Sequence, residues 1–231
     1  MLLYVEAKIS QHLIKDIVLK EELYKLVAHN HVAVGYGPAK SILFGQLHLK
    51  QNNGTYFVED VYCKKIITRG IGPKMVPDST VANVEHTWPQ SHFTHSFPNE
   101  VQKSDLHHLF PTDSRANSTR GNFDFADVTA NMNLGADCPA SKSGPSVIAG
   151  GNNYFEPPTD HKGNVARAIF YFSIRYKISI PANEEQYLRR WNEIDPVDQA
   201  EMDRNNQIEK IQGNRNPFID YPQLANDISK F

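Results

Sequence analysis

A chain of 231 residues that is 40% hydrophobic and 22% charged has the size and make-up of a globular protein with a sizeable core. Its formal net charge of −2 excludes a globally basic surface, so any grip on an anionic polymer has to come from local clusters of Lys and Arg. No apolar run approaches the roughly 20 residues of a membrane span, and the opening stretch from Met1 to Glu6 is too short for a signal-peptide core, which fits a mature chain and a cytoplasmic one alike.

Residues 11–30 carry Leu13, Ile17, Tyr24 and Val27 at helical spacing, widened by Leu23 and Leu26, which predicts an amphipathic helix. Pro38 is placed to open a second short helix through Leu43. Residues 55–62 are rich in β-formers and follow the Asn52-Asn53-Gly54 turn signal, so they predict a strand. Glycine and proline break residues 68–80 into a loop. Next come a strand at about 81–86, a polar connecting loop over 87–103 and a second strand at about 107–111, ending on Pro111. Asp113 is a good N-cap for a helix from Ser114 that carries Asn117 and Arg120. Residues 131–163 read as a long surface loop. Helices return at about 164–177 and 183–194, and a last one runs from near Pro196 to a C-capping Gly213. No repeat or linker divides the chain. The expected fold class is α+β, a single mixed domain over residues 1–231, helix-rich with a small sheet and a ββα unit at about 81–125.

The chemistry concentrates in two segments. The first, Asn83-Val84-Glu85-His86-Thr87-Trp88-Pro89-Gln90-Ser91, sets a carboxylate beside an imidazole. The second, Ser104-Asp105-Leu106-His107-His108-Leu109-Phe110-Pro111, leads on to Asn117, Arg120 and Asn122-Phe123. A hard cation held on oxygen, next to an imidazole that is neutral near pH 7, is a kit for activating water against a phosphodiester. Neighbouring strand residues face opposite ways, so at most one of His107 and His108 is expected to look into such a site. Asp105 and His107 read as structural hydrogen bonders. His92 and His95 read as exposed loop residues, and Trp88 and Phe93 as core aromatics rather than base-stacking ones. Cys63 and Cys138 have no metal-site spacing; one disulfide and two separate buried thiols both fit.

These segments resemble the endonuclease I family of nonspecific nucleases, within the His-Me finger (ββα-metal) group. Two later blocks match as well: Phe155-Glu156-Pro157-Pro158 with Gly163-Asn164-Val165-Ala166-Arg167, and Ile211-Gln212-Gly213-Asn214-Arg215-Asn216-Pro217-Phe218-Ile219-Asp220. The resemblance implies a metal on Glu85 and Asn117, with Mg2+ first and Mn2+ or Ca2+ as substitutes. It implies His86 as the general base beside that metal. It also implies cleavage of DNA, with RNA as a further substrate, leaving 5′-phosphate ends in the periplasm or outside the cell.

Family members often place an arginine between the two motif strands, whereas residues 87–106 here hold Lys103 and no arginine. Arg115, Arg120 and Arg167 are therefore the candidates for transition-state charge, with Arg120 placed first. Arg115, Arg120, Arg167 and Arg215 are expected to gather around the site as phosphate contacts. Neither a membrane nor an obligate protein partner is implied. Two rival readings stand beside this one, a zinc hydrolase using the histidines and an inactive nucleic-acid-binding protein.

Overall fold

A computed structural model describes residues 2–147 and 153–231, with side chains from Lys15 onward. The end of the chain at Met1, the side chain of Leu13 and the middle of the expected 131–163 loop therefore lie outside the described residues. Among the described residues the fold is helix-rich α+β with small antiparallel sheets.

The chain opens with α1 (Leu2–Ala28), followed by α2 (Tyr36–Ile42) and a π-helical turn over Leu43–Leu47. Strands β1 (Lys50–Asn52) and β2 (Thr55–Glu59) form a hairpin across Asn53 and Gly54, both at positive φ as a tight two-residue turn requires. β2 also pairs with the short β3 (Ile66–Ile67). It stops at Asp60, whose buried carboxylate accepts from the backbone nitrogens of Tyr62, Cys63, Lys65 and Asp113 and turns the chain away from the sheet.

Next comes the pair that matters most, β4 (Ala82–His86) against β5 (Leu109–Asp113), with Glu85 opposite Phe110 and His86 opposite Leu109. The connecting loop contains α3 (Asn99–Lys103) and a 3-10 turn over Leu106–His108. The expected start of the second strand at residue 107 is thus corrected. Asp105 accepts from the backbone nitrogen of His107 and winds residues 106–108 into a turn, so the opposite-faces argument for His107 and His108 does not apply. Both histidines are buried, on the carbonyls of Asn214 and Gln102, and burial holds each imidazole down at about 4.

α4 (Ser114–Arg120) starts where Asp113 accepts from the nitrogens of Arg115 and Ala116. The expected long loop holds β6 (Lys142–Pro145) and β7 (Asn153–Glu156), paired antiparallel. Cys63 and Cys138 form a disulfide.

α5 (Lys162–Tyr176) is the hub, buried along almost its whole circumference as a central helix must be. α1, α6 (Ala182–Ile194) and α8 (Pro217–Asp220) pack on it. α7 (Gln199–Gln212) is capped by Asp198 rather than starting at Pro196. It ends on Gly213, at φ 87°, where a Cβ would meet the Asn30 carbonyl at 2.2 Å. The short α9 (Leu224–Asp227) follows. In α1 the core-facing residues are Leu23 and Val27, while Ile17 and Leu26 are exposed, so the expected apolar stripe is rotated about the helix.

α5 also braces the motif loop. Phe172 stacks on Trp88 at 5.3 Å and on Phe93 at 5.6 Å, and fully burying such a ring contributes about 1.5–3 kcal/mol. The hydroxyls of Tyr171 and Tyr176 donate to Asp105, which also accepts from Gln212. Burial opposes the charge on Asp105, but His31, His107 and His108 hold its carboxyl below the usual carboxylate range.

Candidate active site

β4 has a partner on one side only, so carbonyls on its free edge need donors. α4 supplies them through side chains. Asn117 Nδ2 donates to the Val84 carbonyl at 3.2 Å. Arg120 donates to the carbonyls of His86 at 3.3 Å and Thr87 at 2.7 Å. The ββα unit is thus sewn together by two of the residues whose chemistry is in question.

The same sewing opens a cleft of about 490 Å³ lined by Tyr36, Glu85, His86, Gln90, Asn117 and Arg120, among others. Glu85 is 1% exposed. Burial pushes its carboxyl up while the Arg120 guanidinium, 3.4 Å from Oε1, pulls it back down. Despite that ion pair, Oε1 accepts no well-formed hydrogen bond among the described residues. Asn117 spends its amide nitrogen on Val84 and leaves its Oδ1 without a donor.

The donor set fits a hydrated Mg2+: one carboxylate oxygen wanting a partner and one neutral amide oxygen, with water completing the shell. By contrast, no group of three or more His, Cys, Asp or Glu side chains among the described residues could hold an ion. The zinc reading therefore lacks its ligand set.

The state of His86 follows from its neighbours. A carbonyl can only accept, so Nε2, 3.1 Å from the Lys103 carbonyl, carries the proton. Nδ1 is then the bare nitrogen, and the Gln90 amide donates to it at 3.3 Å. Burial, reinforced by the neighbouring His108, holds the ring well below the usual histidine value, which keeps it neutral. Tyr36 lies 5.5 Å from it, ring to ring.

The arginines divide. Arg120 lines the cleft but is 1% exposed, with its guanidinium on backbone carbonyls, on Glu85 and over the Phe125 ring. It positions the strand end and the carboxylate. Arg115 is exposed on α4, 3.7 Å from Asp137. Arg167 is wholly buried in a bidentate pair with Glu201, so the expectation that it contacts phosphate is corrected. Arg215 is engaged by Asp220, Glu209 and Asn206 in a separate groove, and its expected place at the site is corrected likewise.

Sequence reasoning missed Gln90, Tyr36 and the Lys103 carbonyl, because nothing local marks a side chain or carbonyl that meets His86 across a loop. Gln90, four residues beyond His86 in the same block, offered the one available hint.

The family model for Endonuclease I matches residues 16–223. The extracellular ribonuclease of Bacillus subtilis (strain 168) is 36% identical over 169 residues, 63% of this chain and 53% of that protein. An extracellular deoxyribonuclease of Aeromonas hydrophila is 32% identical over 119 residues, 51% of this chain and 49% of that protein. Endonuclease-1 of Buchnera aphidicola subsp. Acyrthosiphon pisum (strain APS) is 30% identical over 117 residues, 51% of this chain and 44% of that protein. The chain spans about half the length of the relatives it matches.

Proposed function

The chain belongs to the endonuclease I family, and from that premise we propose that it is a Mg2+-dependent endonuclease of low sequence specificity that hydrolyses phosphodiester bonds in DNA and RNA, leaving 5′-phosphate ends. The observation that carries this reading is the pairing of a buried Glu85 oxygen in want of a partner with a neutral His86 whose bare Nδ1 belongs to the same cleft. RNA stands beside DNA as substrate because relatives named as ribonuclease and as deoxyribonuclease share the fold's sequence.

Glu85 and Asn117 would hold the cation, Mn2+ or Ca2+ substituting for Mg2+. Once bound, it supplies positive charge to the phosphoryl oxygens and the leaving 3′-oxygen. The protein's own part is proton handling and aim. His86 Nδ1 takes the proton of the attacking water, in the place where Gln90 now donates. The Lys103 carbonyl fixes the ring by accepting from Nε2. Arg120 keeps Glu85 and the end of β4 in register. Arg115, exposed on the helix that carries Asn117, adds a phosphate contact. The work is done by one endonuclease I-like domain with no obligate protein partner.

The place of action is the periplasm or the outside of the cell. The disulfide and the relatives named extracellular support this, and no helix among the described residues is long and apolar enough to cross a membrane.

Plasmid nicking and RNA degradation, each measured in EDTA and after Mg2+ is returned, test the proposal. Cleavage restored by Mg2+, with nicks that DNA ligase reseals, is the expected result. Failure of Mg2+ to restore cleavage of either polymer would sink it, and restoration by Zn2+ alone would favour the zinc hydrolase.

A further inference from the structure

Charge at the cleft is unevenly spent. Arg120 is buried on Glu85 and on carbonyls, so its guanidinium has no bare face to offer. Two lysines on the neighbouring edge differ. The Lys103 ammonium lies 4.3 Å from the centroid of the Tyr36 ring, and that of Lys40 lies 5.2 Å from the same centroid. No carboxylate of the described residues comes within 4.0 Å of either. The nearby Glu100 carboxylate spends Oε1 on the backbone nitrogen of Tyr36, at 2.6 Å.

Both lysines are half-buried, so their stems are held while their heads reach water. A ring that holds ammoniums by cation–π attraction presents charge rather than a bare face for base stacking. Tyr36 lines the cleft and stands 5.5 Å from the His86 ring, and Lys103 is the residue whose carbonyl orients that ring.

We propose that Lys40 and Lys103, gathered on Tyr36, form a phosphate-binding edge that grips a nucleic-acid phosphodiester flanking the one set against Glu85 and His86. The proposal rests on the nuclease reading of this cleft and adds a binding subsite to it. Two ammoniums close together repel each other unless an anion comes between them, and a backbone phosphate is the anion such a nuclease meets. The contact reads no base, so it strengthens binding to any sequence.

The test is the salt dependence of binding by the full chain in EDTA, where cleavage is suppressed, to a short fluorescent duplex oligonucleotide. Each phosphate contact contributes roughly 0.9 to the slope of log K against log salt. The double variant Lys40→Met/Lys103→Met keeps the stems and the Lys103 carbonyl, and its slope should fall by about 2. Lys40→Arg/Lys103→Arg should retain the wild-type slope. Lys210→Met, on the exposed end of α7, serves as the control and should leave it unchanged. In cleavage assays with Mg2+ the double Met variant should raise KM far more than it lowers kcat.

A wild-type slope in the double Met variant, with circular dichroism matching the wild type, would overturn the proposal. So would an equal fall in the Lys210→Met control. A wild type that neither binds nor cuts nucleic acid would overturn the nuclease reading itself, a result distinct from the loss of this edge alone.

Discussion

Replacing Arg120 with Met tests whether this residue works by holding Glu85. The two side chains are each 2% exposed and 3.4 Å apart. Met fills much of the arginine's space but leaves a buried carboxylate without its counter-charge, a defect that costs about 3–5 kcal/mol. The carbonyls of His86, Thr87 and Gly121 also lose their donor. Each would cost about 1–3 kcal/mol if left dry, but the adjoining cleft lets water reach them. The expected loss is therefore set by the charge, about 3–5 kcal/mol out of the roughly 5–15 kcal/mol typical of a folded domain. In Glu85→Gln/Arg120→Met the charge is gone, and the loss should shrink to the carbonyl cost, about 1–3 kcal/mol. Urea unfolding of the four proteins in EDTA closes a double-mutant cycle, with an expected coupling of about 2 kcal/mol. A coupling below about 0.5 kcal/mol, the range of independent sites, would refute the positioning role and return Arg120 to the candidates for direct contact with the reacting phosphate.

His86→Ala should lower turnover about 100- to 10,000-fold while Mg2+ affinity by calorimetry stays near wild type; near-normal nicking by the folded variant would remove His86 from the mechanism. Glu85→Ala should lose both activity and the heat of Mg2+ binding, and Asn117→Ala should weaken that binding; unchanged Mg2+ affinity in Glu85→Ala would show the ligand assignment to be wrong. Glu184, buried beside Asp124, has its carboxyl pushed up from 4.5 to about 8 by burial, and its Oε1 accepts from the Phe125 nitrogen. Between those two values the unfolded chain releases this proton and the folded one keeps it, so the group costs stability increasingly as pH rises. The Tm advantage of Glu184→Gln over wild type should grow across that window and level off above it, and a pH-independent difference would contradict the assignment.

What could be read in advance was chemistry carried within a few residues. Asn53-Gly54 marks a turn by its tolerance of positive φ, Asp113 marks a helix start by its short acceptor, and Gly213 marks a helix end. These signals, with helical periodicity, sufficed for the α+β class. The same short-range view failed where partners come from far along the chain. Arg167 looked available until its match with Glu201, 34 residues on, was seen. Arg215 looked free of its acidic neighbours until the turn after Gly213 brought Asp220 and Glu209 around it. Residues 107 and 108 passed for strand because one turn of 3-10 helix has no periodicity of its own, and what fixes it is the Asp105 side chain. Of the four arginines expected at the site, Arg120 is the one that lines the cleft among the described residues, because α4 follows directly from β5.

The Cys63–Cys138 bond spans 75 positions, and β4, β5 and α4 all lie between its two ends. The ββα unit therefore sits inside a covalent ring. A protease that cuts an exposed loop within that ring, such as the polar stretch after Pro89 or the segment around Met132, breaks one peptide bond and releases nothing. The two pieces stay tethered, and their rejoining is intramolecular, at an effective concentration in the millimolar range for a short tether. For a protein working among secreted proteases, this gives the cleft a tolerance to nicking that its non-covalent packing alone does not provide.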